Sequence, residues 1–173
     1  MKQRVKNLED IYKKHRADIY KYLYYQTTNC HVSEELCQEV FLKAFKALNS
    51  YEGRSSIKTW LYSIAHNVYV SWYRKEIKSE IVPMQQSIIN SLVAIDGNPE
   101  SIVEKKENSE EVIRTLYKLK EEYRTVLILC ELNELSYVEI SKTLNWSLAK
   151  VKTTIYRARI QFKTFFEKEG EVL

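Results

Sequence analysis

The sequence predicts an all-α protein, two small helical domains joined by a flexible linker, the second carrying a helix-turn-helix. Three observations predict it. The 173 residues include only three glycines and two prolines, far below ordinary usage, so few tight turns are available. Apolar side chains recur at three- and four-residue spacing through most of the chain. That pattern breaks once, across 76–108, where Pro83, Pro99, Gly97 and an acidic excess gather. Hydrophobic content of 45% and charged content of 29% are ordinary for a globular protein with a modest core. The expected boundaries are a first domain at 1–76, a linker at 77–108 and a second domain at 109–173.

The first helix is expected over 6–28, from the spacing of Leu8, Ile11, Tyr12, Ile19, Tyr22 and Leu23. The second starts from Ser33, read as its N-cap, with Glu34 and Glu35 placed to meet the positive end of the helix dipole. Its buried stripe is Leu36, Cys37, Val40, Phe41, Ala44, Phe45 and Leu48. The opposite face is Glu35, Gln38, Glu39, Leu42 and Lys46. A short polar loop around Gly53 follows, flanked by Tyr51 and Trp60. A third helix spans about 56–75, with Ile57, Trp60, Leu61, Ile64, Ala65, Val68 and Trp72 turned inward.

Within the linker, the weakly apolar SIINSLVAI reads as a transient helix or a docking segment. Helicity returns after Asn108 and Ser109, first through Val112, Ile113, Leu116 and Leu119, then through Tyr123, Val126, Leu127 and Cys130. Ser136 and Glu139 have capping-box spacing, in which each side chain satisfies an orphan amide at a helix start. That helix is short and ends near Leu144. Asn145-Trp146-Ser147 makes a turn, and Ser147 caps a final helix over 148–168, with Val151, Ile155, Ala158, Phe162 and Phe165 inward.

The net charge of +4 is only mildly basic, but its distribution is uneven. No Asp or Glu occurs from Arg54 to Lys75, or from Trp146 to Lys163, and a net acidic middle separates these two basic blocks. Cys30, Cys37 and Cys130 are too few and odd for a disulfide framework, which suggests a reducing compartment. Cys37 lies on the apolar stripe, and the spacing of Cys30, His31 and Cys37 matches no ordinary zinc pattern. The charged start MKQRVKNLED lacks an apolar stretch, so a cytoplasmic protein is expected. With no Gly-rich phosphate loop, metal cluster or nucleophile–base pattern, neither an enzyme nor a cofactor or metal is expected.

On the last helix, Ala149, Lys152, Thr153, Tyr156 and Arg157 share a face opposite Val151, Ile155 and Ala158. After a short helix and a three-residue turn, this is a helix-turn-helix whose basic face suits a major groove. Lys and Arg donate to guanine edges, and Thr bonds a base or a phosphate. Lys142, Lys150 and Arg159 are better placed for phosphates. The alternative is a solvated basic face. A helical regulator that binds DNA through the same motif, with a sensing or dimerising first domain, is a second reading.

Two segments carry a resemblance. LKEEYRTVLILCELNELSYVEISKTLNWSLAKVKTTIYRARIQF resembles the promoter-reading C-terminal domain of the extracytoplasmic-function (ECF) sigma factors of bacterial RNA polymerase. SEELCQEVFLKAFKALNSYEGRSSIKTWLYSIAHNVYVSWYRK is similar to their core-binding and promoter-melting domain. The resemblance implies a transcription initiation factor that directs core polymerase to promoters. Glu35, Gln38, Glu39 and Leu42 match the surface that docks on the clamp helices of the largest polymerase subunit. The loop and third helix match the part that reads and opens the −10 region: Gly53, Arg54, Ser55, Ser56, Ile57, Lys58, Thr59, Tyr62, His66, Asn67, Tyr73 and Arg74. The helix-turn-helix matches the −35 reader, with Lys152, Thr153, Tyr156 and Arg157 facing bases. An anti-sigma partner, often membrane-bound, and a monomeric free state are implied as well. The chain departs from the family pattern in having Lys120 where a proline is usual, Ala149-Lys150 where Gly-Thr is common, and Ile57 where an aromatic is common.

Opening DNA in this way requires binding unstacked bases. Extraction costs a few kcal/mol per base, and stacking on an aromatic returns roughly 1–3 kcal/mol. Tyr62, Tyr69 and Tyr73 are read near the exposed side, beside Arg54, Lys58, Arg74 and Lys75. These tyrosines either stack bases or pack against the first helix or the linker.

Overall fold

The computed structural model describes residues 2–78 and 102–170, with side chains described over 8–76 and 110–168. The expectations for Pro83, Gly97, Pro99 and SIINSLVAI lie outside the described residues. All regular structure among the described residues is helical. In chain order the helices are α1 (Lys2–Thr27), α2 (Cys30–Ala47), α3 (Ile57–Lys78), α4 (Ile102–Lys118), α5 (Glu121–Leu127), α6 (Tyr137–Leu144) and α7 (Leu148–Gly170). A 3₁₀ turn at Leu48–Ser50 follows α2, and a π-helical turn at Ile128–Leu132 continues α5.

The first three helices pack around Ile19, Leu23, Val40, Leu61, Ala65 and Val68, all essentially removed from water. Each fully buried Leu, Ile or Val contributes roughly 1.5–3 kcal/mol. Thr28, in the left-handed conformation at φ +51°, ends α1. Asn29, not Ser33, is the N-cap of α2: its side chain accepts from the amides of His31 and Val32 at 3.0 and 3.1 Å. The helix therefore starts three residues before Ser33. Ser33 is buried inside it, hydrogen-bonded to the Asn29 carbonyl and the Thr27 hydroxyl. Glu34 is correspondingly too far along to serve the helix dipole; it grips Arg16 of α1 with both oxygens, at 2.7 and 2.9 Å.

In the second half, α4 to α7 surround Leu116, Val126, Leu129, Ile140, Val151 and Ile155. The capping box at Ser136 and Glu139 is formed in both directions. Asn145, at φ +54°, ends α6, and the Ser147 hydroxyl caps α7 through the Lys150 amide at 3.2 Å. Cys30, Cys37 and Cys130 are free thiols, and burial pushes the Cys37 thiol up to about 11.

The two halves also pack on each other. α3 lies along α6, α1 meets the π turn, and the buried apolar residues form one continuous cluster.

Candidate nucleic-acid interface

The sequence of α7 divides it lengthwise. Val151, Ile155 and Ala158 are sealed in the core, which leaves Lys152, Thr153, Tyr156 and Arg157 exposed together. Tyr156, 67% exposed, stands clear of the surface. Thr153 and Arg157 line a shallow groove with Ala149, Lys150, Glu122 and Tyr123. The three expected phosphate contacts are less free. Lys150 lies 3.6 Å from the centre of the Trp146 ring and 3.2 Å from the Glu122 carboxylate. Arg159 is turned back toward Glu131, at 2.6 and 2.9 Å, and reaches the Tyr137 hydroxyl at 3.3 Å. Lys142 donates to the Arg54 carbonyl at 3.4 Å.

In the loop before α3, Gly53 adopts φ +71°, a region that side-chain-bearing residues resist. The Tyr51 hydroxyl closes the loop onto the Ser55 carbonyl, and its ring lies 4.9 Å from that of Trp60. Arg54 is almost fully in solvent, paired with Glu52 at 2.5 Å. The Ser56 hydroxyl caps α3 by accepting from the Thr59 amide at 3.1 Å. Among the expected −10 residues, Gly53, Arg54, Ser56, Asn67 and Arg74 are exposed. Ser55, Ile57, Lys58, His66 and Tyr73 are half-buried.

The tyrosine expectation needs correction. Tyr62 and Tyr69 are buried, because positions 61, 62, 65, 68 and 69 form the stripe that meets α1 and the second half. Burial raises both phenol pKa values well above the usual range. Thr59 is also buried, 2% exposed, against the Glu139 carboxylate at 3.5 Å. Burial lowers His66 to about 4, and its Nδ1 lies 3.2 Å from the Tyr22 hydroxyl. Tyr73 stacks on Tyr69, with ring centres 5.6 Å apart. Trp60, expected in the core, is only half-buried. With Ile64, Asn67, Ser71 and Arg74 it follows the outer ridge of α3, so it is the aromatic that the sequence reading missed.

On α2, Gln38, Glu39 and Leu42 are exposed as expected, as is Glu35. Phe45, placed on the buried stripe by its spacing, is 51% exposed and adjoins Leu42, itself 61% exposed. The signal was available: Leu42 and Phe45 stand three apart on one face.

Among the described residues, no three His, Cys, Asp or Glu side chains are grouped to hold a metal. No described helix is long and apolar enough to cross a membrane. A three-helix unit with an exposed ridge, followed by a helix-turn-helix with an open basic face, is the layout of a two-domain transcription factor. The family sigma-70 region 2 matches residues 11–78, and sigma-70, region 4 matches residues 109–162. The chain belongs to the extracytoplasmic-function sigma factors of the sigma-70 family: it is an RNA polymerase sigma factor for transcription initiation, of a non-catalytic family. It is 39% identical to the RNA polymerase sigma factor YlaC of Bacillus subtilis (strain 168), over 95% of each chain. It is 31% identical to the ECF RNA polymerase sigma factor SigM of the same organism, over 93% of this chain and 96% of that one. In fold it resembles the sigma factor RpoE solved with the anti-sigma factor NepR from Bartonella quintana. The TM-score is 0.74 at 20% identity, over 94% of this chain and 98% of that one.

Proposed function

We propose that this sigma factor reads promoters through two separate surfaces and meets core polymerase through a third. The open face of α7 is the −35 reader, with Lys152, Thr153, Tyr156 and Arg157 at base edges in a major groove. Lys142, Lys150 and Arg159 steer the backbone once released from their present partners. The loop at Gly53 to Thr59 and the outer ridge of α3 form the −10 surface. There Arg54, Asn67 and Arg74 offer charge and hydrogen bonds, and the Tyr51–Trp60 pair offers an aromatic platform for an unstacked base. The face of α2 with Glu35, Gln38, Glu39, Leu42 and Phe45 docks on the polymerase clamp. In this reading residues 1–76 are the melting and docking domain, 77–108 the linker and 109–173 the −35 domain. The free chain is a monomer in the cytoplasm, where the polymerase works, and an anti-sigma partner holds it back.

One observation carries the reading: α7 seals one face completely and leaves a basic, hydrogen-bonding face with nothing packed on it. The test is reconstitution with core polymerase on a promoter library. The chain should direct initiation at a shared sequence pair. Specific duplex binding without core association would instead favour a stand-alone regulator.

A further inference from the structure

We propose that the free chain masks itself: the second half closes over the head of α3 and covers part of the −10 surface until the halves part. The inference rests on the reading of that loop and ridge as the −10 surface.

The contacts fall into two layers. In the deep layer, Gln26 of α1 donates to the Thr125 hydroxyl at 3.0 Å, and its own carbonyl accepts from the Tyr117 hydroxyl at 2.6 Å. Arg124 donates to the Tyr69 hydroxyl at 3.1 Å, with its guanidinium 4.5 Å from the centre of the Tyr117 ring. The outer layer lies on the DNA-reading parts themselves. Lys58 donates to the Asn133 carbonyl at 3.5 Å, Thr59 to Glu139 at 3.5 Å, and Lys142 to the Arg54 carbonyl at 3.4 Å. Lys58 and Lys142, both assigned to DNA, each point their ammonium at a carbonyl of the other half. The same donors cannot at once hold the closed form and meet phosphates, so closure and DNA reading compete.

The chemistry of the seam suits a contact that opens. Gln26 Oε1, Arg124 Nε and Asn133 Oδ1 are buried without a protein hydrogen bond. Arg124 is held by phenols, weaker counterparts for a buried cation than a carboxylate. Closure also brings the basic block of α3 toward that of the helix-turn-helix, so a polyanion or polymerase that binds only the parted form shifts the balance toward it.

The test uses the full chain and the double variant Gln26→Ala with Thr125→Ala, which removes both ends of one deep bond. Tyr117→Phe is the milder companion, losing one hydroxyl and keeping the ring under Arg124. Two quantities are compared with the unmodified chain: the acetylation rates of Lys58 and Lys142 by an N-hydroxysuccinimide ester, and the affinity for a random pool of 12-nucleotide single strands. Masking requires both lysines to react at least threefold faster in the variants and the pool to bind at least threefold tighter, with Arg54→Ala reversing the gain. Faster acetylation with unchanged affinity would overturn the mask and leave the −10 assignment standing. Unchanged rates in both variants would overturn the closed contact itself. A pool that binds neither chain, or binding indifferent to Arg54→Ala, would overturn the −10 assignment and the mask together.

Discussion

At the scale of single residues, exposure separates the two kinds of DNA contact. Lys152 and Arg157 are free on the outer face of α7, whereas Lys150 and Arg159 already have acidic partners. Lys152→Ala or Arg157→Ala is therefore expected to weaken use of the cognate promoter by about 1–3 kcal/mol where the residue makes a bidentate base contact. Competition transcription against promoters altered at one −35 position checks this, since an equal loss on every sequence would mark a phosphate contact instead. His66 gives a second prediction. Its folded pKa, about 4, lies below the ordinary 6.5, so the unfolded chain takes up the proton first. The stabilising effect is complete above pH 6.5 and is lost as pH falls toward 4. Between pH 7 and pH 5 the chain should lose on the order of 1–2 kcal/mol through this group. His15, also lowered by burial, acts in the same direction, and the Ser136 bonds that lower Glu139 keep its carboxylate ionised over this range. Urea unfolding at the two pH values should show a smaller difference for His66→Gln than for the unmodified chain.

At the scale of elements, periodicity located the helices well but placed some of their faces wrongly. The stripe of α7 was readable because one side carries only Val, Ile and Ala and the other only polar or basic residues and Tyr156. The inner side of α3 was not, because apolar residues surround that helix. Its Tyr62 and Tyr69 are buried by the second half as well as by α1, a partner that spacing within one helix cannot reveal. Trp60 was displaced outward for the same reason, and Phe45 was misplaced because the apolar run of α2 wraps beyond its core stripe. The start of α2 moved because Asn29 offers a cap earlier than Ser33 does. The exposed face of α2 carries its own prediction. Gln38→Lys with Glu39→Lys reverses its charge without touching the core, and Glu39 gives up only a solvent-facing pair with Lys43 at 2.8 Å. Circular dichroism and thermal midpoint should hardly move, while affinity for core polymerase, measured by co-sedimentation, should drop at least tenfold. Unchanged affinity would remove this face from the docking surface.

At the scale of the whole molecule, the sequence shows two domains, but not their seam. The residues that form it, Gln26, Thr125, Tyr117 and Arg124, are polar and fit no apolar stripe, so their pairing emerges only in three dimensions. With the core continuous across the halves, the chain should melt in a single calorimetric transition. Gln26→Ala with Thr125→Ala should split that transition or broaden it toward two, and one unshifted peak in the variant would mean the seam adds no coupling. The π turn at Ile128–Leu132 bears on how such a chain tolerates lineage change. Its closing bond runs from the Asn133 amide back to the Ile128 carbonyl, one residue wider than an α turn. Losing a single codon there would restore α geometry and swing everything downstream by about 100°, the angle per residue of a helix. The DNA-reading half would then face a different direction relative to α5. Reading-frame-preserving deletions in this turn should accordingly be rarer than side-chain replacements at the same positions.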